Sequence, residues 1–271
     1  MEQNKKFKLV ASKKTRYLLP NILTLGGVCL GISSIKFSID GNFSLAVILI
    51  MIAAILDALD GRIARLIKGT SEFGKELDSL TDFVSFGIAP VFILYFWELN
   101  NYGKLGWAIT LIYSVCCVLR LARFNLTKIE ETQGWKNNFF EGVPSPAGGL
   151  LILMPLIYEL TGLNFGYDIK NLTPYLTVLI AILLVSKIPT LALKRISISP
   201  KATVFLLLGI GVVFISLLFY TLETLLLFGV FYLISIPISI IIYNTQNLSI
   251  NSVMAANVDI ILDLKKKFNS S

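Results

Sequence analysis

Long apolar stretches, separated by short polar segments, recur along the whole chain of 271 residues. A helix of about 20 apolar residues crosses the hydrocarbon layer of a bilayer. Backbone groups in lipid must be satisfied within the chain, and apolar runs of this length are typical of helices rather than barrel strands. The pattern therefore predicts eight membrane-spanning helices, near residues 17–37, 43–60, 79–97, 106–124, 144–161, 174–193, 203–220 and 223–243.

The composition agrees with a membrane protein, since 55% of the residues are hydrophobic, 15% are charged and the mean hydropathy is +0.75. Soluble domains rarely have such values. The predicted fold class is an all-α, polytopic helical membrane protein without a separate soluble domain. The tail, residues 244–271, carries apolar residues at roughly helical spacing, so it either lies on the membrane surface or frays.

Basic residues are unevenly distributed between the two sides that eight spans define. Of the 24 Lys and Arg residues, only Lys36, Lys104 and Lys170 fall on the side opposite to the termini. By the positive-inside rule, this bias predicts that both termini are cytoplasmic. The net charge of +7 favours contact with anionic lipid headgroups rather than with nucleic acid. The basic segment 1–16 either faces those headgroups or serves only as a topology signal.

Acidic residues concentrate in one polar stretch, residues 57–82, with the sequence DALDGRIARLIKGTSEFGKELDSLTD. Asp57 and Asp60 are three residues apart, and Asp78 and Asp82 are four apart, so each pair projects from one face of a helix. The first pair ends the second predicted span and the second pair begins the third. We therefore expect a helical hairpin to bring the four carboxylates together, although D-x-x-D alone is also typical of a solvated helix end.

Four neighbouring carboxylates repel one another. At about 4 Å and an effective dielectric constant near 20, each pair costs about 4 kcal/mol, so protons or a cation must neutralise the group. The chain has no histidine, and its three cysteines show no metal-ligand spacing. Oxygen ligands alone suit hard ions such as Mg²⁺, Mn²⁺ or Ca²⁺, which in turn attract phosphate.

Small and basic residues stand among these acids. Gly61 and Ala64 leave room for a ligand, and Arg65 carries a planar cation that suits phosphate. Gly74 has the backbone freedom that would let the chain turn back towards the third span. The stretch therefore combines a candidate metal site with a candidate phosphate site at the edge of the membrane, where ionisable groups are most often functional.

The same stretch resembles the signature of the CDP-alcohol phosphotransferase family, D-x-x-D-G-x-x-A-R, eight residues, G-x-x-x-D-x-x-x-D. All fixed positions and spacings match, at Asp57, Asp60, Gly61, Ala64, Arg65, Gly74, Asp78 and Asp82. The resemblance implies a six-helix catalytic membrane core within residues 17–193. Residues 194–243 would then form two additional membrane helices, followed by a cytoplasmic tail, 244–271.

The resemblance implies a reaction in which an alcohol attacks the β-phosphate of a CDP-linked lipid and CMP leaves. By position, Asp57, Asp60 and Asp78 become ligands of Mg²⁺ or Mn²⁺, and Asp82 becomes the base and a further ligand. The same carry-over assigns the CDP pocket to the four remaining signature residues, Gly61, Ala64, Arg65 and Gly74. Members of the family are often homodimers, so a homodimer is implied as well.

Further segments are similar to the phosphatidylserine synthase branch of that family. "PNILT" at 20–24 resembles the opening of the first helix, which makes Asn21 and Thr24 candidate contacts to the nucleotide. "FVSFGIAP" follows the signature, and "RLARFN" and "EGVPSPAGG" come later in the same order as in the branch. The branch implies CDP-diacylglycerol and L-serine as substrates. Val143 and Thr81 depart from the residues that are usual there, leucine and alanine.

The acceptor serine carries a carboxylate that needs a cationic partner. Arg120 and Arg123, three residues apart on one helical face, are candidates for it. Alternatively, both mark the membrane boundary or contact a lipid phosphate. Asn125 and Ser145 are further polar candidates for the serine site.

Two other functions fit parts of the pattern. A sibling transferase would use glycerol 3-phosphate or an inositol compound, but an acceptor with its own phosphate should require additional basic residues. A divalent-cation transporter would place its ionisable groups near the membrane midplane, whereas these acids are predicted at the cytoplasmic edge. A third possibility, a structural membrane protein without enzymatic activity, would not explain the acidic cluster.

Overall fold

The structure is a computed structural model that describes residues 18–67, 69, 71–127, 139–163, 166, 169–191 and 200–269. Within them the chain forms ten α-helices: α1 (Leu18–Ile39), α2 (Phe43–Leu66), α3 (Glu72–Asp82), α4 (Ala89–Trp97), α5 (Lys104–Thr127), α6 (Ser145–Ile152), α7 (Met154–Leu160), α8 (Thr173–Val185), α9 (Pro200–Phe219) and α10 (Thr221–Asn269).

Short elements of other types connect these helices. A π-helical segment, Phe83–Ile88, joins α3 directly to α4, and 3₁₀ turns at Leu99–Tyr102 and Ile169–Leu172 precede α5 and α8. Strand β1 (Phe139–Glu141) pairs antiparallel with β2 (Pro189–Leu191), with Phe140 opposite Thr190. This two-stranded ribbon ties the connection before α6 to the connection after α8.

Five stretches of the described chain are long and apolar enough to cross a membrane: Leu18–Ile39, Phe43–Leu66, Glu72–Trp97, Lys104–Leu126 and Thr221–Gln246. Ile169–Val185 and Phe205–Phe219 are shorter apolar helices. The predicted class, a polytopic helical membrane protein, is confirmed. The basic segment 1–16 lies outside the described residues, and residues 244–269 continue α10 without a break.

Two predicted spans differ from the helices observed. The span at 144–161 is divided into α6 and α7, because Pro155 has no N–H to continue the hydrogen bonding of α6. The span at 174–193 ends early, since α8 stops at Val185 and Pro189 begins β2. The residue before a proline disfavours helical angles, which explains why the helix does not resume there.

Residues 61–78, which the predicted spans leave as the connection between the second and third helices, are mostly helical. Helix α2 continues to Leu66, and α3 already begins at Glu72. Ser71 starts α3 as its N-cap, and its side chain accepts the backbone N–H of Gly74 at 3.0 Å. Charged residues at the ends of long helices lower the local hydropathy without ending the helix, so the hydropathy pattern places these boundaries too early.

Helix α1 packs closely against the segment that joins α3 to α4. A Cβ atom at Gly31 would lie 3.0 Å from Cα of Ser85, so any larger residue would push the two segments apart. Ser85 donates a hydrogen bond to the carbonyl oxygen of Gly27 at 3.1 Å, and Tyr113 of α5 donates to the carbonyl oxygen of Phe86 at 3.0 Å. The π-helical segment thus donates to a backbone carbonyl of α1 and accepts from a side chain of α5.

Candidate active site

The aspartates of residues 57–82 meet at one place between α2 and α3. Carboxylate oxygens of Asp57, Asp60 and Asp78 all lie within 4.8 Å of one another. Asp57 and Asp60 stand one turn apart on α2, and the short connection to α3 brings Asp78 back to the same level. Three oxygen donors that converge in this way suit a hard divalent cation, which also offsets the repulsion between their charges.

Polar residues near the start of α1 reach this group. Oγ1 of Thr24 donates to Oδ2 of Asp60 at 2.5 Å and also lies 3.0 Å from the carbonyl oxygen of Pro20. Asp60 is only 4% exposed, so this contact fixes the direction of a buried carboxylate. Thr24 therefore orients an aspartate of the group, a function that the sequence pattern does not reveal.

Gly74 is located differently from the prediction. It lies in the first turn of α3 rather than in a turn of the chain, because α3 already begins at Glu72. The predicted turn at Gly74 is therefore wrong. A Cβ atom at this position would lie 3.3 Å from Oδ1 of Asn21 and 3.1 Å from Oγ of Ser71. The glycine thus allows α1 and α3 to approach each other beside the aspartates.

Asp82 stands next to the three-aspartate group, but its carboxylate is not part of it. Its charge is repelled by those of Asp57 and Asp78 and attracted by that of Arg120. Oδ2 of Asp82 accepts a hydrogen bond from Oγ of Ser145 at 3.4 Å. Oδ1 is buried and has no hydrogen-bond partner among the described residues. Asp82 thus links the acidic group to a second, basic region and keeps one oxygen able to accept a proton.

Arg120 is a buried cation in this second region. It is 7% exposed, donates a hydrogen bond from Nη1 to Oγ of Ser145, and lies over the ring of Phe124 at 5.0 Å from its centroid. Within the described part of the chain, no carboxylate lies at ion-pair distance from it. A guanidinium group has five N–H donors. An anion at this place would therefore gain both charge compensation and hydrogen bonds.

Arg123 is oriented differently, although it lies only three residues away. It donates to the carbonyl oxygens of Val185 at 2.6 Å, Ser186 at 2.9 Å and Leu184 at 3.4 Å. These carbonyls are at the C-terminal end of α8, where no further turn of helix supplies donors. The described contacts of Arg123 thus hold α8 against α5.

Comparison with known proteins gives the family. A family model described as CDP-alcohol phosphatidyltransferase matches residues 17–241. The chain belongs to this family. The resemblance inferred from the signature is thereby confirmed, and the aspartates described above are the acidic residues of that signature.

Several relatives of known name are similar to this CDP-alcohol phosphatidyltransferase family member. The CDP-diacylglycerol–serine O-phosphatidyltransferase of Mycobacterium leprae is 39% identical over 193 residues, which are 69% of this chain and 63% of the relative. The protein of the same name from Helicobacter pylori (strain 26695) is 34% identical over 218 residues, 80% of this chain and 89% of the relative. The chain thus spans less than two thirds of the mycobacterial protein.

The remaining signature residues of this family member lie along α2. Gly61 and Ala64 are partly buried and Arg65 is exposed. A Cβ atom at Gly61 would lie 3.7 Å from Nη1 of Arg65, so the arginine side chain extends back along the helix towards the aspartates. Its cation thus stays close to the acidic group, and Gly61 places no side chain between them.

Asn125 joins α5 to α3 at the same level. Its Nδ2 donates to Oγ of Ser79 at 3.0 Å, and Ser79 lies between Asp78 and Asp82. Ser79 is not among the residues predicted from the sequence. The π-helical segment that directly follows Asp82 was missed as well, although such segments often occur at functional sites. No local sequence signal distinguishes it from an ordinary helix.

Proposed function

We propose that the protein transfers the phosphatidyl group of CDP-diacylglycerol to the hydroxyl group of L-serine, which gives phosphatidylserine and CMP. The main observation is the chain of interactions from the three-aspartate group through Asp82 and Ser145 to Arg120, a buried cation with no carboxylate at ion-pair distance among the described residues. This arrangement offers a metal site, a base and an anion site in one row. The names of the relatives from Mycobacterium leprae and Helicobacter pylori support the same activity.

The metal site fits Mg²⁺ or Mn²⁺. Asp57, Asp60 and Asp78 supply oxygen atoms within 4.8 Å of one another, and no histidine or cysteine belongs to the group. These residues would hold the ion, and the position of Asp82 at the border makes it a weaker candidate for a ligand. A bound divalent ion would neutralise the diphosphate of the CDP-lipid and the phosphate of the departing CMP.

Asp82 acts as the base in this proposal. Its buried Oδ1 is the oxygen that can accept the proton of the serine hydroxyl, while Oδ2 is held by Ser145. As the proton moves to Asp82, the hydroxyl oxygen forms a bond to the β-phosphorus, and the bond from that phosphorus to the CMP oxygen breaks. Proton removal by a positioned base contributes about 10²- to 10⁴-fold in rate.

Arg120 binds the carboxylate of serine. Arg120 and Asp82 both contact Oγ of Ser145, so the carboxylate and the hydroxyl of one serine molecule can face these two side chains. Arg123 and Asn125 support the site by holding α8 and α3 in place. Ser145 positions both Asp82 and Arg120.

The nucleotide end of the CDP-lipid binds beside the start of α1. Asn21 and Gly74 lie next to each other there, and Thr24 contacts Asp60. Gly61, Ala64 and Arg65 line the adjoining surface of α2 in this proposal. The closeness of Asn21 to α3 supports a pocket formed jointly by α1, α2 and α3.

We also propose that the site and both termini face the cytoplasm and that the protein forms a homodimer. The distribution of basic residues supports the orientation, since in the predicted topology all Lys and Arg residues except Lys36, Lys104 and Lys170 lie on the side of the termini. Cysteine labelling of intact cells tests the orientation, and light scattering of the purified protein in detergent tests the dimer.

The activity is tested by release of CMP from CDP-diacylglycerol with purified protein. Serine, glycerol 3-phosphate and inositol are compared as acceptors, each with Mg²⁺, with Mn²⁺ and with EDTA. We expect release that depends on serine, stops in EDTA and returns when Mg²⁺ or Mn²⁺ is restored. Release that depends on another alcohol would contradict the proposed acceptor, and full activity in EDTA would contradict the metal site.

A further inference from the structure

A tyrosine of the last helix has a polar group without a partner. Tyr232 lies on α10 and its ring packs against the hydrophobic core. Its phenolic oxygen is buried and has no hydrogen-bond partner among the described residues. Burying a hydroxyl group without a hydrogen bond costs roughly 1–3 kcal/mol by mutational data, so such groups are rare and usually have a reason. A ligand that is bound during the reaction is one such reason.

The surroundings of Tyr232 include Arg120 and Thr190. The Tyr232 hydroxyl interacts electrostatically with the guanidinium group of Arg120 and lies beside the side chain of Thr190. Thr190 donates its own proton to the carbonyl oxygen of Gly142 at 2.8 Å, and no hydrogen bond of normal geometry joins its side chain to the phenol. The phenol thus lies within electrostatic range of the buried cation of the site, and its hydroxyl group has no hydrogen-bond partner among the described residues.

Helix α10 is fixed in this position by contacts with the two-stranded ribbon. Oγ of Ser239 donates to the carbonyl oxygen of Pro189 at 2.8 Å. The ring of Tyr243 packs edge-on against Phe139, with 5.3 Å between the ring centroids. Both strands of the ribbon therefore hold the helix, and Tyr232 is two helical turns from Ser239. The position of Tyr232 therefore follows from this packing rather than from a flexible side chain alone.

We propose that the hydroxyl group of Tyr232 donates a hydrogen bond to the carboxylate of the acceptor that Arg120 binds. This inference rests on the proposed function. It assigns a specificity-determining residue to a helix outside the predicted six-helix core. A site built to hydrogen-bond a substrate group rejects molecules that lack that group, because its own buried polar atoms then stay unpaired. Tyr232 would favour acceptors with a carboxylate over simple amino alcohols.

The test compares Tyr232→Phe with the wild-type protein, both full-length and purified in detergent. The control is Tyr220→Phe, because Tyr220 directly precedes α10 and is 64% exposed. Steady-state CMP release gives KM for serine and KM for CDP-diacylglycerol. Two serine analogues serve as competitors against serine: 3-hydroxypropionate keeps the carboxylate and lacks the ammonium group, and ethanolamine keeps the ammonium group and lacks the carboxylate.

We expect Tyr232→Phe to raise KM for serine about tenfold, as for loss of a hydrogen bond to a charged group. Inhibition by 3-hydroxypropionate should weaken by the same factor. KM for CDP-diacylglycerol and inhibition by ethanolamine should not change, and Tyr220→Phe should behave like the wild type. A lower thermal stability with an unchanged KM for serine would show a structural hydroxyl and overturn the inference, as would equal weakening of both competitors.

The outcomes separate this inference from the function on which it rests. A wild-type protein that does not use serine would refute the proposed function and this role of Tyr232 together. A wild-type protein that uses serine, with a Tyr232→Phe variant that has the same KM, would refute only the role of Tyr232.

Discussion

The acidic and the basic halves of the site are built in different ways. Asp57, Asp60 and Asp78 come from two helices that follow each other directly in the chain. The basic half is assembled from distant elements, since 25 residues separate Arg120 from Ser145, 63 separate Ser145 from Asp82, and 62 separate Arg123 from Val185. The first half is thus defined by local spacing, and the second by how the helices pack.

This difference has an energetic side. In the acidic half, like charges are held close together, so the protein without metal is strained by their repulsion. In the basic half, Arg123 neutralises carbonyl groups at a helix end and contributes to stability. Substitutions in the two halves should therefore change different properties. Substitution of an aspartate should remove activity without lowering stability, whereas substitution of Arg123 should lower stability.

The largest effect is expected for Asp57→Asn and Asp60→Asn. Each variant loses a ligand, so CMP release should fall to background and Mg²⁺ should no longer raise the melting temperature in the presence of CDP-diacylglycerol. Without metal, each variant should melt at or above the wild-type temperature because one repulsive charge is gone. Thermal unfolding in detergent, with Mg²⁺ or EDTA, measures both effects.

Asp40→Asn is the control for these variants, since Asp40 pairs with Lys36 at the turn between α1 and α2 and takes no part in the acidic group. It should keep activity and the effect of Mg²⁺. If Asp57→Asn retained the full Mg²⁺-dependent shift, the three-aspartate group would not be the metal site.

The next effect is that of Asp82→Asn. The asparagine keeps the size of the side chain but cannot accept the proton of serine, so kcat should fall by about 10²- to 10⁴-fold. Binding of CDP-diacylglycerol with Mg²⁺ should stay close to that of the wild type, because Asp82 is not part of the three-aspartate group. Calorimetry with the CDP-lipid measures binding. Loss of binding as complete as in Asp57→Asn would make Asp82 chiefly a ligand.

A smaller and more selective effect separates the two arginines. Arg120→Ala should raise KM for serine by about 10- to 100-fold and leave KM for CDP-diacylglycerol unchanged, since no carboxylate of the described residues lies at ion-pair distance from its cation. Arg123→Ala should instead lower the free energy of unfolding by about 1–3 kcal/mol, because three carbonyl groups lose a charged donor. KM for serine and the free energy of unfolding are measured for both variants, and each variant should change mainly one of the two quantities. An equal rise in KM for serine in both variants would show that Arg123 also contributes to serine binding.

The two halves also differ in how far the sequence could predict them. The spacing of Asp57, Asp60, Asp78 and Asp82 was sufficient to place the acidic residues together, because helical periodicity is a local property. The same periodicity put Arg120 and Arg123 on one face and suggested one partner for both. The observed partners of Arg120 and Arg123 lie on α6 and α8. Contacts between residues so far apart in the chain cannot be predicted from the spacing of neighbouring residues.

The fold shows the same limit. Apolar length predicted the long helices, but the ends of α2 and α3 were misplaced because their charged turns extend beyond the apolar run. The N-cap Ser71 was a usable signal for the start of α3. The pairing of β1 with β2 joins Phe140 to Thr190 across 50 residues, and it could not be read from either short segment alone.

The smallest effect tests a contact that joins the halves. Asn125 of α5 donates to Ser79 of α3 at 3.0 Å, so the bond links the helix of the arginines to the helix of the aspartates. Asn125→Ala should reduce the free energy of unfolding by about 1 kcal/mol, the usual value for one neutral hydrogen bond. KM for serine should change less than twofold, because the amide contacts Ser79 rather than the anion site. Ser79→Ala should have a similar effect, and the double variant should be no less stable than Ser79→Ala alone, since each substitution removes the hydrogen bonding between the two side chains. A tenfold rise in KM for serine in Asn125→Ala would instead place Asn125 in the acceptor pocket, and the boundary drawn here between the two halves would have to move.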